Sequence, residues 1–408
     1  MRMLVWMIWC SSALMAGTAD WPQWRGPTRD GTAPGFQVPT KWPEALRKQW
    51  SVPVGQGYGS PVTAGDRAFL ITSSGEKERV LCVDLTTGQE VWSHAYEIDF
   101  KENSYALKFG KGPFSTPLWQ QGRLYTVGIT GQVFCFEAKT GNILWHKAFD
   151  GVLNDQRHYF CGNSVSPIAF EDLIIVHVGN ETQGLLTAYH GKTGKQVWQW
   201  RGDIPGYASP ILAKLHGTPQ LVTLTQNQVA GLDPKTGALL WQHAFQSNWR
   251  ENIVSPVVFG DTVIVSGVER ETAALQVRPH DGAWQVNVKW RNKDVVMYMS
   301  TPVLIDGTLY GLSHKSKGQF FAMDARTGET QWLSDGRMGM NAALVSFGPQ
   351  IAGVTTHARL HLFKAIADTY TPLKDYKLAN SPIWAQPVFF EDKVLVKDRD
   401  HLVLWQFP

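Results

Sequence analysis

The side chains able to do chemistry are densest in two long connections. Residues 97–114 contain Asp99, Lys101, Glu102, Asn103, Lys108 and Lys111, and residues 150–163 contain Asp155, Arg157, His158, Tyr159, Cys161 and Asn163. Arg157 beside His158 can bind a carboxylate or set a base near neutral pH, since imidazole titrates close to pH 6.5 (about 6.5 unperturbed). Long loops on a rigid scaffold are where function concentrates. Trp249-Arg250-Glu251-Asn252 and Gly336-Arg337-Met338-Gly339-Met340-Asn341 add further polar candidates. The acidic pairs Glu171-Asp172 and Glu391-Asp392 have the composition for acid–base work, but each closes a hairpin, where it reads as a solvated turn. The histidines are scattered singly, several of them at strand ends, such as His94, His146 and His243. There is no GxSxG, HExxH or GxxxxGK[ST]. The chain has no CxxC and no Cys/His grouping of zinc spacing. No local signature names a reaction, so any site must be assembled by the fold.

Composition narrows the classes. Charged residues are 18% of 408, and the formal net charge is +3, which leaves no basic surplus to neutralise a phosphate backbone. No nucleic-acid partner is expected. With 38 Gly and 22 Pro in no collagen-like period, the chain is not a disordered tail. Met1-Arg2-Met3 precedes an apolar run of about 14 residues that ends in Gly17-Thr18-Ala19. This pattern predicts a signal peptide over residues 1–19, with Asp20 as the mature start. The alternative, an anchor, needs ~20 apolar residues to span, and no later stretch reaches that length. The expectation is an exported protein, periplasmic or extracellular, without a transmembrane anchor. Trp9 stands before Cys10 where a lipobox needs a small residue, so lipidation is not expected. Removing Cys10 leaves Cys82, Cys135 and Cys161, an odd number that implies a free thiol. Cys82 and Cys135 hold equivalent places in two repeats and read as small buried hydrophobes.

The elements that must position any site are declared by a repeat. An acidic residue, two variable residues, Thr, Gly, three variable residues and Trp recur as Asp84 to Gly88 and Trp92, and as Glu137 to Gly141 and Trp145. His190 takes the acidic place before Gly194 and Trp198; Asp233, Gly237 and Trp241 follow, then Asp324, Gly328 and Trp332. The first four copies lie 43 to 53 residues apart, close to the period of a propeller blade. A second marker, a small residue followed by Pro, opens a β-run at Ser60, Thr116, Ser166, Ser209, Ser255 and Thr301, and Gln386-Pro387 and Ala343-Leu344 complete eight starts. In the repeat the Asp carboxylate accepts backbone N–H groups across the turn between the third and fourth strands. Gly supplies the positive φ at the turn exit. The Trp fills the gap between neighbouring blades and needs an acceptor for its indole N–H, which a neighbouring blade's turn can provide. Blade five departs from the pattern, with His280-Asp281-Gly282 and a late Trp290, and blade seven lacks the motif. Residues 48–52, with Trp50, read as an outermost strand without companions, and the last 22 residues read as three strands without a fourth. The expected architecture is an all-β, eight-bladed β-propeller of four-stranded antiparallel blades, closed by N- and C-terminal strands in one blade. Its domain runs over 47–408, after an extended Trp/Pro-rich leader at 20–46 whose Trp21 and Trp24 are expected to pack against the ring.

The motif Ala-x-Asp-x-x-Thr-Gly-x-x-x-Trp, with Cys82 and Cys135 in the Ala place of two copies, resembles the tryptophan-docking repeat of the pyrroloquinoline-quinone (PQQ)-like propellers. That superfamily includes quinoprotein alcohol dehydrogenases and the propeller lipoprotein of the bacterial outer-membrane assembly machinery. The leader Asp20-Trp21-Pro22-Gln23-Trp24-Arg25-Gly26-Pro27, continuing to Arg29-Asp30-Gly31, resembles the opening of exported bacterial proteins of this class. The resemblance implies that any ligand sits on the face carrying the outer-to-inner connections, around a central funnel. The residue three before each blade-start Pro, or before Leu344 where Pro is lacking, then falls at the rim: Tyr58, Phe114, Ser164, Tyr207, Ile253, Met299, Asn341 and Trp384. An aromatic mouth suits a flat ligand or a peptide; the alternative is that these rings plug the channel. Arg157, His158, Asn163, Arg250 and Asn252 are the other rim candidates. Two functions follow from the resemblance. One is a non-catalytic binding or scaffold module of the cell envelope, with no cofactor and a protein, peptide or small-molecule partner at the funnel. The other is a PQQ- and Ca²⁺-dependent dehydrogenase of alcohols or sugars. Against the second, the sequence lacks the adjacent cysteines and the haem CxxCH of many such enzymes.

Overall fold

The structure is a computed structural model that describes residues 20–101, 103–104, 106–107, 110–149, 161–180 and 182–408. The signal peptide expected over residues 1–19 lies outside the described residues. Eight four-stranded antiparallel sheets form the blades. Blades 1 to 7 span residues 62–97, 118–147, 168–200, 211–244, 257–292, 303–333 and 342–377. Blade 8 joins Arg47–Pro53 to three strands from residues 388–406, so both ends of the chain share one sheet. Second strands are apolar almost throughout, as in Leu173–Gly179, because they are covered on both faces by neighbouring blades. Fourth strands alternate, as in Glu90–Glu97, with one face to solvent.

The docking repeat works as its residue types predict. Asp84 Oδ1 accepts the Thr86 and Thr87 N–H groups at 3.0 and 2.9 Å, and Asp233 and Asp324 do the same in their turns. Every docking Trp but Trp241 donates to a carbonyl of the next blade. Trp50 Nε1 donates to Leu85 O, Trp92 to Ala138 O, Trp145 to Gly191 O and Trp198 to Pro234 O, at 2.8–3.0 Å. The Gly is required twice over: Gly141 has φ +77, and a Cβ there would lie 2.6 Å from the Trp92 ring. Blade 5 reaches the same end by a different length. Its strands Arg270–His280 and Ala283–Asn292 extend the hairpin, so that Trp290 still pairs with Ala274 as Trp92 pairs with Cys82. Trp290 then docks on Ala325 O of blade 6. Blade 7 lacks the motif but offers Ile366 O to Trp332.

The blade starts explain their small residues. Ser60 N–H donates to Thr116 Oγ1, Thr116 N–H to Ser166 Oγ, and Ser166 N–H to Ser209 Oγ, at 2.9–3.2 Å. Ser255 Oγ donates to Ser209 O, Ser255 N–H to Thr301 Oγ1, and Ala342 N–H to Ser300 Oγ. Gln386 closes the circle, donating its side-chain amide to Leu344 O and its backbone N–H to Ser60 Oγ. A belt of hydrogen bonds thus crosses all eight joints around the axis. Short hydroxyl side chains serve at most of these joints because one hydroxyl can both accept and donate within a tight space.

Candidate functional site

The channel has two mouths, and the leader closes one. Trp21 is buried and exchanges backbone hydrogen bonds with Thr63, while Pro22 O accepts the Trp119 N–H. Further on, residues 31–37 bond Ser346 and Glu391. The leader therefore crosses the hairpin face from blades 1 and 2 to blades 7 and 8. Between these anchors its two arginines enter the channel. Arg25 donates to Thr301 O and Pro302 O at 2.7 and 2.6 Å, and to its own leader at Asp30 O. Arg29 donates to Pro210 O, Pro167 O and Ser166 O at 2.8–3.1 Å, and to Gln23 Oε1. These acceptors are the inward carbonyls of the belt, which a buried channel would otherwise leave unpaired. Trp24 lies against both guanidinium groups, 5.6 and 5.7 Å from its ring centroid. Burial holds the guanidinium pKa of Arg25 down to about 10; burial, and next to it the charge of Arg25, holds that of Arg29 down to about 9.

The other mouth opens as a cup of about 1130 Å³, open rim included, with Trp24 and Arg25 among its lining residues. All eight residues that stand three before a blade-start Pro or Leu344 line it. Trp384, Tyr58 and Phe114 form an aromatic arc across blades 8, 1 and 2, with centroid separations of 6.1 and 6.2 Å. Ser164, Tyr207 and Ile253 continue the wall, and Met299 and Asn341 complete it, the Met299 N–H donating to Asn341 Oδ1 at 3.2 Å. The spacing rule succeeds because every blade begins with the same three-residue descent from rim to belt.

Other candidates are placed elsewhere. Asn163 is buried, its amide donating to Ile129 O and accepting from Gly179 N–H, so it ties connections together instead of facing the cup. Asn252 is fully buried and donates to Thr225 O, Gln226 O and Phe245 O, a clamp on its own loop. Arg250 is exposed in a short 3-10 turn with φ +58, beside the exposed Trp249, and does not line the cup. Arg157 and His158 lie outside the described residues.

Two wall residues carry chemistry that the spacing rule did not single out. Glu251 accepts the Tyr298 hydroxyl proton in a short hydrogen bond. Cys161 donates its N–H to Tyr207 Oη, and burial, with the nearby Glu251 charge, pushes its thiol up to about 12, which disfavours the thiolate at neutral pH. Cys82 and Cys135 are buried within blades 1 and 2, as small hydrophobes. The arginines of the leader were also missed as site residues. Their signal was two cations four apart among turn residues, but their partners lie 137 to 277 positions away.

A quinone with its Ca²⁺ is the group this fold implies for an enzyme. Ca²⁺ asks for about six to eight oxygen ligands, carboxylates among them. Among the described residues the cup supplies one carboxylate, Glu251, already tied to Tyr298, and a single cysteine in place of an adjacent pair. The donor set does not fit that group.

Comparison with known proteins adds the family. The family described as "Outer membrane protein assembly factor BamB" matches residues 76–334, from the third strand of blade 1 to the last of blade 6. The outer membrane protein assembly factor BamB of Burkholderia pseudomallei is 26% identical over 353 residues, 76% of this chain and 84% of that protein. The crystal structure of BamB from Moraxella catarrhalis superposes with a TM-score of 0.62 at 15% identity, covering 89% of this chain and 100% of that one. A quinohemoprotein alcohol dehydrogenase from Comamonas testosteroni shares the fold, with a TM-score of 0.67 at 14% identity over 95% of this chain and 80% of that one. In sequence an enzyme of that description aligns over 134 residues only, 31% of this chain and 17% of its own length, at 28% identity.

Proposed function

Since the chain belongs to the family of the outer membrane protein assembly factor BamB, we propose that it is a non-catalytic propeller scaffold of the cell envelope that serves outer-membrane protein assembly. The family match over most of the ring is the observation that carries this reading. The protein is exported through its N-terminal signal and works in the periplasm. Its partners are protein components of the envelope, held by a rigid ring whose shape does not depend on a cofactor. Among the described residues no helix is long and apolar enough to cross a membrane. The cup fits the scaffold reading better than the dehydrogenase, because a quinone site needs the carboxylates and paired cysteines that the described residues of its wall do not supply.

A host strain lacking the gene tests the assembly role. The expected result is a lower level of folded outer-membrane β-barrel proteins and greater sensitivity to large apolar antibiotics, both restored by the gene in trans. Unchanged barrel levels and sensitivity would overturn it. A parallel titration of the purified protein with PQQ and Ca²⁺ decides the enzymatic alternative. Loss of the cofactor on gel filtration is expected; stoichiometric retention would return the protein to the dehydrogenases.

A further inference from the structure

The floor and the wall of the cup differ in charge. Arg25 lies on the floor and Arg29 deeper in the channel; they are 2% and 5% exposed, and every acceptor they bond is neutral: backbone carbonyls, and the amide oxygen of Gln23. Asp30, next in the leader, turns its carboxylate outward to the Thr28 hydroxyl and the Thr32 N–H. Three of the five N–H groups of Arg25 are bonded, and among the described residues its Nε–H has no acceptor. Asp30 acts on Arg25 only as a charge through space, so this buried cation, with no ion pair among the described residues, still raises the potential of the space above it, and low dielectric magnifies the effect. Among the described residues the single carboxylate on the wall, Glu251, is capped by Tyr298. Around this floor stands the aromatic arc of Trp384, Tyr58 and Phe114.

We propose that the cup binds a carboxylate borne on an aromatic or extended apolar stem, with the carboxylate over Arg25 and the stem against the arc. A charge-assisted hydrogen bond to the guanidinium fixes the acid end, and ring faces accept the stem with little loss of conformational freedom. Such a carboxylate comes from one of two sources: the C-terminal residue of a polypeptide or a free aromatic acid. The proposal goes beyond the assembly role and stands independently of it, since it rests on the cup alone.

The test uses the whole mature protein and follows tryptophan fluorescence, because Trp24 and Trp384 line the cup. The probe is the tetrapeptide Gly-Ser-Gly-Phe, which contains no tryptophan, as the free acid and as the C-terminal amide. Phenylacetate serves as the free-acid source. The acid peptide is expected to bind at least tenfold more tightly than the amide. Glu251→Gln, which keeps an acceptor for Tyr298, should tighten the acid severalfold and leave the amide unchanged. Trp384→Ala, at the half-buried lip, should weaken the acid peptide tenfold. Phenylacetate binding as tightly as the peptide would identify a small acid as the ligand, and weaker binding a chain end; either supports the site. Equal affinity for acid and amide, or no fluorescence change with any probe, would overturn it. Should Trp384→Ala fail to fold, the acid–amide comparison and Glu251→Gln still decide. A strain without any assembly defect would leave these titrations unaffected, so the two readings fail separately.

Discussion

The joint between blades 1 and 2 and the joint between blades 4 and 5 meet the same packing need with different parts. At the first, Trp92 covers Gly141 and donates to Ala138 O of the next blade. At the second, blade 5 has no Thr-Gly turn at the docking place, because its hairpin runs on to His280. Trp241 therefore turns back to its own blade and donates to Gln220 Oε1 at 2.6 Å. The cross-blade polar contact passes instead to His216, whose Nε2 lies 3.1 Å from Val277 O and whose ring meets Trp284, while Trp241 shares an apolar cluster with Val263 and Leu275 of blade 5. Even the belt changes there, with Ser255 Oγ donating to Ser209 O where six of the other seven joints use a backbone N–H. A propeller joint is thus a requirement for buried apolar area and a paired indole, and the Thr-Gly turn is one way among several of meeting it.

Glycine substitutions separate the two kinds of joint most sharply. Gly141 and Gly282 share φ +77, but only Gly141 has an indole against it; around Gly282 there is open space. Gly141→Ala should cost about 2–5 kcal/mol, from left-handed strain plus overpacking, and Gly282→Ala only about 1–2 kcal/mol. Urea midpoints measure both, and equal losses would show that the indole contact contributes nothing.

A second contrast is pH. The regular joint also carries Glu78, fully buried, which accepts from the Ile129 N–H of blade 2 at 2.8 Å and from the Tyr96 hydroxyl at 2.6 Å. Burial raises its carboxyl to about 7 from 4.5. The folded protein then holds a proton that the unfolded chain releases, so this stability is present in full below pH 4.5 and is lost as pH rises through about 7. Melting at pH 5 and pH 8 should show a relative loss on the order of 1–3 kcal/mol that Glu78→Gln abolishes. An unchanged pH dependence in the variant would remove Glu78 from the account.

Smaller effects probe the irregular joint. Gln220→Met leaves the Trp241 N–H without its acceptor and should cost about 1–2 kcal/mol, reduced because it also removes the unpaired Gln220 Nε2. Leu173→Met, at the matching place of blade 3, should stay under about 1.5 kcal/mol, since Trp198 donates to Pro234 O. His216→Ala, loosening the half-exposed substitute contact, should cost about 0.5–1.5 kcal/mol; hydrogen exchange in residues 270–292 would report it.

Much of the ring was legible because its information is local. The turn from Asp84 to Gly88 and the Trp92 that follows form within nine residues, and the same signal returns around the ring. The rim residues were found by counting three back from each blade-start Pro, or from Leu344. Asn163 and Asn252 were misread as rim groups because a sequence shows an amide in a long loop but not the backbone carbonyls that surround it. The late Trp290 read as a defect because its pairing with Ala274 becomes visible only when the hairpin is laid out.

By itself the sequence determined the repeat, the blade count and the closure by both chain ends, since turn chemistry, strand alternation and a docking Trp act over a few residues. The tertiary structure alone decided that a belt of hydrogen bonds joins all eight blades and that the leader's arginines fill the channel, Arg25 forming the floor of the cup. Those contacts join carbonyls contributed by blades 3, 4 and 6 to two side chains of the leader. Closing the ring is what brings the carbonyls to one axis, where their dipoles require a buried donor and a guanidinium can meet several at once.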